Sequence, residues 1–465
     1  MIAVRTGSKN DPSDATGLAH YLEHMLFKGT SKIASLDWDK EKALLKQISD
    51  LYEKNRGDVT EAERKKNLEE IDRVSNEAAQ YVATNEYDKM VSSLGAKGTN
   101  AYTWVDQTVY INDIPSNGLA KWLELEGERF SELVLRLFHT ELEAVYEEFN
   151  IGQNNAFRKV NKAMMEGLFP THPYGTQTTI GTGDHLKRPS MEKIHAYFDK
   201  YYVPNNMAIV LAGDFDPDEA VDLIKQHFGS YQRQAVAQKQ FGAMAPITRV
   251  VKKEIFSKEP PTVTMAWRLP GAGSEAAQKA RLMDLVLANG QAGLIDLNLV
   301  QAQRTGQQTY SYLNTMNDYS SFVMVGQPKT GQTLEEVQKL LLAQLARIKK
   351  GQFQDWLLEA IINDAEYGEI KVLEYNRARA NKMLSAFLYL QDWKDVVNYY
   401  YVLRQYTNED IIRFANETIN DYNYVVIYKR EGKPGDIYTV EKPQITPVQV
   451  NRDAISDFKK KWDGL

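Results

Sequence analysis

The sequence predicts two related units, each mixing helices with strands, and three observations carry that reading. At 465 residues the chain exceeds what one hydrophobic core ordinarily serves, while 43% apolar and 25% charged residues describe an ordinary globular composition. Amphipathic helical stretches alternate with short β-branched and aromatic runs along its whole length. Finally, Ser190-x-Glu192-x-Ile194-x-x-Tyr197 with the later Ala208-Ile-Val210 aligns without a gap on Thr407-x-Glu409-x-Ile411-x-x-Phe414 with Val425-Val-Ile427, an offset of 217 residues from Ile194 to Ile411. Two homologous units of a little over two hundred residues each follow from that repeat.

The bulk properties exclude several classes. A formal charge of −6 without clustered Lys and Arg gives no nucleic-acid footprint. The absence of cysteine removes disulfides, thiolate zinc sites and a cysteine nucleophile, so any metal must be held by His, Asp and Glu. No run of eighteen apolar residues is present, so no membrane-spanning helix is expected. The opening Ile2-Ala-Val-Arg-Thr-Gly7 reads as a strand already under way, with no signal peptide before it; a trimmed N-terminus is expected and the compartment stays open.

After that strand, Thr16 is placed to cap a helix with Leu18, Leu22, Met25 and Leu26 inward and Gly29 at its end. This helix carries His20-Tyr-Leu-Glu23-His24, the reverse of the His-Glu-x-x-His zinc helix. Histidines four apart lie on one face and can grip one ion, with Glu23 close enough to reach a water on it. A third ligand must come from elsewhere.

Residues 36–84, rich in Lys and Glu, form a helical hairpin broken at Gly57-Asp-Val-Thr60, read as a solvated surface insertion rather than a lid. Gly98–Thr103 and Thr108–Ile111 have the content of two paired strands, either an edge beside the metal site, open to an extended peptide, or an interior hairpin. Leu119–Leu137 is an amphipathic helix. Thr140 and Glu143 then form a capping box for a helix running towards Lys159. Glu141 and Glu148, two turns apart, share a face of it; such carboxylates are usually just solvated, but a second helix with stacked carboxylates is what the motif helix lacks.

Ser190–Tyr202 reads as a helix, Met207–Gly213 as a strand buried on both faces, and Pro217–Phe228 as a helix. Gln232–Ile247 is a linker. Strands follow near Thr262–Trp267 and Ser320–Gly326, with helices from Leu334 and Phe353. The second unit has no histidine and is a non-metal copy. His172 reads as a turn residue near the cleft, and His139, His185, His195 and His227 as ordinary surface or boundary residues. The expected domains are 1–235 with the insertion, 250–432, and a linker over 433–465.

The residues His20-Tyr-Leu-Glu-His24-Met-Leu-Phe-Lys-Gly-Thr, Asn100-Ala-Tyr-Thr103, Glu141-x-x-x-Val145-x-x-Glu148, His172-Pro-Tyr-Gly175 and Tyr202-Val-Pro-Asn-Asn206 with Gly213-Asp-Phe together resemble the pitrilysin/insulinase family of zinc metallopeptidases. The resemblance implies the α+β class, with paired homologous domains that are each a mainly antiparallel sheet flanked by helices. It implies one zinc ion on His20, His24 and Glu148, Glu23 as general base, Glu141 supporting the site, and Asn100, Ala101 and Thr103 lining a cleft for peptide or unfolded polypeptide.

Two departures from the family accompany the match. The gap from His24 to Glu148 is longer than usual, and the hairpin accounts for the surplus. Longer members also close a chamber with a second half that brings an Arg and a Tyr to the metal, whereas this chain resembles the N-terminal half alone. The alternative reading is therefore an incomplete half that binds zinc and peptide but needs that second half or a partner subunit for activity. S-ribosylhomocysteine lyase, with a similar helix, is disfavoured because it takes a cysteine ligand, and scaffold relatives typically lose the motif residues kept here. Relatives with this layout are often exported, which implies a periplasmic or envelope location.

Overall fold

The structure, a computed structural model, describes every residue except 238, 436–438, 450, 452 and 465. Those positions of the two expected linkers, 232–247 and 433–465, lie outside the described residues. In chain order the elements are β1 (Ile2–Val4), α1 (Leu18–Met25), α2 (Trp38–Arg56), α3 (Glu61–Ala78), α4 (Glu86–Ser93), β2 (Lys97–Thr103), β3 (Thr108–Asp113), α5 (Leu119–Arg129), α6 (Phe138–Asn154), α7 (Ala156–Leu168), α8 (Pro173–Thr176), α9 (Gly183–Leu186), α10 (Met191–Tyr201), β4 (Met207–Ile209) and α11 (Pro217–Phe228). There follow β5 (Val251–Ser257), β6 (Thr262–Pro270), α12 (Glu275–Leu287), β7 (Tyr310–Thr315), β8 (Tyr319–Gly326), α13 (Leu334–Lys349), α14 (Leu357–Val372), α15 (Asn376–Leu388), α16 (Trp393–Val397), α17 (Tyr399–Leu403), α18 (Asn408–Thr418), β9 (Val425–Glu431) and α19 (Asp457–Asp463). Helices flanking mainly antiparallel sheets make this an α+β protein. Among the described residues no helix is long and apolar enough to cross a membrane.

Two compact units result, one of Met1–Gly152, Gln177–Gln240 and Tyr438–Leu465, the other of Gln153–Thr176 and Phe241–Ile437. This differs from the expected domains in two places. Residues 153–176 belong to the second unit, where α7 packs on β5, β6 and β9. The contact is close enough that a Cβ on Gly167 would lie 2.7 Å from the Val425 side chain. An amphipathic pattern says that a helix covers a sheet, not which one. The second difference is the polar C-terminal stretch, expected as a linker, whose Val440 and Trp462 are buried in the first unit. Backbone hydrogen bonds from Val440, Thr446 and Ser456 hold it there, and composition does not report those.

In the first unit the sheet runs β2-β3-β1-β4, all antiparallel, with Ala3 opposite both Val109 and Ala208. β2 is therefore an edge. The expected strand 207–213 is only β4, half-buried rather than covered on both faces, because it forms the other edge. α2 and α3, capped by Asp37 and by a Thr60–Glu63 capping box, bury Ile48, Tyr52, Ile71 and Val74 in the core that also holds Leu22 of α1 and Val145 of α6. One face of the hairpin is solvated, as expected, but the other is core; each such apolar side chain contributes about 1.5–3 kcal/mol.

Helix bounds differ as well. α5 stops at Arg129, and α6 begins at Phe138, so Thr140 lies inside its first turn and caps nothing. α6 ends at Asn154 because Asn155 caps α7, and α14 starts at Leu357 rather than Phe353.

The second unit holds the order β5-β9-β6-β8-β7, antiparallel except for the parallel pair β5–β9. Trp267, Phe322 and Met324 fill its core beneath α12 and α13. Both copies of the sequence repeat fold as a capped helix and then a strand: Ser190 caps α10 before β4, and Thr407 caps α18 before β9.

Candidate metal centre

α1 begins abruptly. Gly17 sits at φ 87°, where a Cβ would lie 2.6 Å from the Ile180 carbonyl oxygen, so this turn requires glycine. The cap is not Thr16, whose hydroxyl lies 2.7 Å from His185 Nδ1. It is the buried carboxylate of Asp11, which accepts from the N–H groups of Gly17 at 2.8 Å and Ala19 at 3.0 Å. Leu18, Leu22 and Met25 turn into the core, which leaves His20 and His24 half-buried on another face.

There the two rings meet α6. Nε2 of His20 and of His24 are 3.3 Å apart, and Glu148 Oε2 lies 3.4 Å from the first and 3.8 Å from the second. Ligands about 2.0–2.1 Å from a tetrahedral ion are separated by about 3.4 Å, so the three donors stand at the spacing such an ion demands. They are also the one group of three or more His, Asp or Glu so placed among the described residues. Two imidazoles and a carboxylate without thiolate suit zinc.

Glu141, two turns before Glu148 on α6, places Oε1 2.9 Å from His24 Nδ1. That contact assigns the proton to Nδ1 and leaves the Nε2 lone pair for an ion. Burial opposes ionisation of Glu141, but His24 and the ammonium of Lys28, with which it also pairs, prevail and hold its pKa at about 2. Burial likewise disfavours a charged His24, but Glu141, with smaller help from Glu148 and Glu23, outweighs it, so the His24 pKa is raised.

Glu23 is buried, and its pKa is raised by that burial and by Glu148; the hydrogen bond from Thr103 and the charge of His24 act in the opposite sense. Thr103 Oγ1 donates to Glu23 Oε2 from the end of edge strand β2. Ala101 lies on the same, half-buried side of the strand, while Asn100 and Tyr102 are exposed. The structure thus brings His20, Glu23, His24, Thr103, Glu141 and Glu148 together, with Asn100 and Ala101 further along the strand.

Other expectations are corrected. His139 is buried rather than a surface residue, and His172, which does sit in the turn between α7 and α8, is buried as well. His139 Nδ1 lies 2.7 Å from the Tyr52 hydroxyl, and His172 Nε2 lies 3.1 Å from Asp318 in the second unit. Asp11 carries no motif signal, and Lys28 lies within the motif run without a role that the motif assigns. Lys28 was nonetheless reachable, since it sits four residues after His24 on the same face.

Comparison with known proteins places the chain among relatives of one family. The family description "Insulinase (Peptidase family M16)" matches residues 1–45, which hold the motif, and "Peptidase M16 inactive domain" matches residues 190–364, which do not. The zinc protease PqqE of Helicobacter pylori is 24% identical over 444 residues, covering 92% of this chain and 86% of that protein. A crystal structure of a protease from Helicobacter pylori superposes with a TM-score of 0.75 at 21% identity, over 92% of this chain and 93% of that one. The periplasmic protease PqqL from Escherichia coli gives 0.69 at 16% identity, over 92% of this chain and 44% of that one.

Proposed function

Since the chain belongs to the insulinase family, M16, we propose that it is a zinc-dependent peptidase in which His20, His24 and Glu148 hold the ion and Glu23 is the general base. The observation that carries this reading is the convergence of three donors at tetrahedral spacing beside a buried carboxyl of raised pKa. When bound, zinc supplies a Lewis acid that brings the pKa of a water to about 7 and polarises a peptide carbonyl.

The chain's own residues do the rest. Glu23 accepts the proton of the attacking water and returns it to the leaving amine, for which a raised pKa suits it. Thr103 holds its carboxylate in one orientation, and Glu141 does the same for His24. β2 offers its free edge, with Asn100, Ala101 and Thr103, to an extended peptide that pairs through main-chain hydrogen bonds.

The test is hydrolysis of a peptide library by the purified chain, stopped by a chelator and restored by zinc. Glu23→Gln keeps zinc but loses activity; His20→Ala, His24→Ala or Glu148→Ala loses zinc by elemental analysis. Full zinc occupancy in Glu148→Ala would reject the ligand set. A second reading, that activity needs a further half or partner subunit, is favoured by the 44% coverage of the Escherichia coli protease. The 93% coverage of the Helicobacter pylori protease favours a unit of this length.

A further inference from the structure

We propose that the α2–α3 hairpin is a positioning element of the metal centre, acting through Glu41 and Tyr52 on the segment Arg136–His139 that launches α6. The inference rests on the ligand set given above.

Arg136 is fully buried and spends its guanidinium on both sides of the site. Its Nε and one terminal nitrogen donate to the two oxygens of Glu41 on α2, at 2.6 and 2.9 Å. The remaining bonds go to the carbonyls of Lys28, Thr30 and Ile33, at 2.9, 2.9 and 2.8 Å. Those three residues form the turn that follows the motif helix, and Lys28 is the residue that pairs with Glu141. One side chain thus ties the exit of α1 to the entry of α6, and Glu41 is the counter-charge that makes its burial tolerable.

Tyr52, on α2 about three turns after Glu41, repeats the connection. Its hydroxyl donates to His139 Nδ1 at 2.7 Å, and its ring packs edge-on against Phe138 at 5.1 Å between centroids. Phe138 in turn stacks on Tyr21, inside the motif, at 4.5 Å, and its carbonyl accepts from the Tyr21 hydroxyl at 2.6 Å. Between these two anchors Leu137 takes φ 57°, a left-handed conformation that a branched side chain holds only when its neighbours are fixed. The C-terminal stretch closes the brace: the Gln444 carbonyl accepts from His139 Nε2 at 3.3 Å, and Thr446 donates to Asp72 of α3 at 2.8 and 2.6 Å. The hairpin therefore sets the start of α6, from which Glu141 orients His24.

The test is zinc affinity of the full chain, by competition with a chromophoric chelator, for Glu41→Gln, Tyr52→Phe and Glu141→Gln, each checked for folding by circular dichroism. Tyr52→Phe keeps the ring and serves if Glu41→Gln does not fold. Positioning predicts affinity lowered by about threefold to tenfold in folded Glu41→Gln and Tyr52→Phe, below the tenfold to hundredfold of a direct outer partner, with recovery in Glu41→Asp. It further predicts that Tyr52→Phe added to Glu141→Gln costs less than the product of the single effects. Unchanged affinity in folded variants, or multiplicative effects in the double variant, overturns the proposal while leaving the ligand set intact. Wild-type chain that takes up no zinc overturns the ligand set itself, and this inference with it.

Discussion

Glu141 Oε1 stands 2.9 Å from His24 Nδ1, and this contact turns the imidazole so that Nε2 faces His20 and Glu148. The carboxylate is fixed on its other oxygen by Lys28, so the ring has one orientation rather than two.

It follows that Glu141→Ala lowers zinc affinity by about tenfold to hundredfold while His20, His24 and Glu148 are all still present. A competition titration on the folded variant checks this. Glu141→Gln is the milder change, because an amide oxygen still accepts from Nδ1 but no longer pairs with Lys28. Wild-type affinity in both variants would mean that the ring is oriented by something other than Glu141.

The hydroxyl of Thr103 donates to Glu23, and among the described residues no bond joins it to His20, His24 or Glu148. Thr103→Val keeps the shape of the strand and removes only that hydrogen bond. The expected result is unchanged zinc stoichiometry with kcat reduced by between about tenfold and a hundredfold, the scale on which a loosened reacting group slows a reaction. A change confined to KM would instead assign Thr103 to peptide binding, the role that the family resemblance gives it.

What the sequence revealed and what it hid divide along contact range. His20, Glu23 and His24 are legible because helical periodicity alone puts them on neighbouring positions, and Glu141 and Glu148 because seven residues make two turns. The hairpin's helices are legible for the same reason, whereas the capping box at Thr60 came only with the structure. Thr140 misled because Thr-x-x-Glu is a local signal that the tertiary contacts of Arg136 and Phe138 override. The Glu41–Arg136 pair spans 95 residues and the Thr103–Glu23 bond 80, and no local rule connects such positions. The apolar run at β4 suggests a doubly buried strand because apolar composition does not distinguish an edge strand from a central one.

Asp11 shows the same limit for a helix cap. It lies six residues before Gly17 yet accepts from the N–H groups of Gly17 and Ala19 where α1 begins. Asp11→Ala leaves those donors unpaired and is expected to destabilise the chain by about 1–2 kcal/mol, the usual scale for a lost cap. Thermal or urea unfolding measures it. Because the frayed turn carries His20, zinc affinity should fall in the same variant, and a Thr16→Ala variant should leave the cap intact.

His139 gives a prediction in pH. Burial pushes its pKa below the ordinary 6.5, against smaller opposing effects from the Gln444 carbonyl and Asp72. Its neutral form accepts from the Tyr52 hydroxyl on Nδ1 and donates from Nε2 to Gln444, so protonation breaks the first of these bonds. The unfolded chain then binds the proton more tightly than the folded one, and stability rises with pH wherever that holds. His139 therefore contributes stability that is complete above pH 6.5 and is lost as the pH falls from there towards its folded value. Melting temperatures of the metal-free chain measured from pH 7.5 to pH 5 should decline, and His139→Gln, which keeps one donor and one acceptor but does not titrate, should decline less. If the two profiles run parallel, His139 is not charged on unfolding in this range, and the acid sensitivity belongs to other groups.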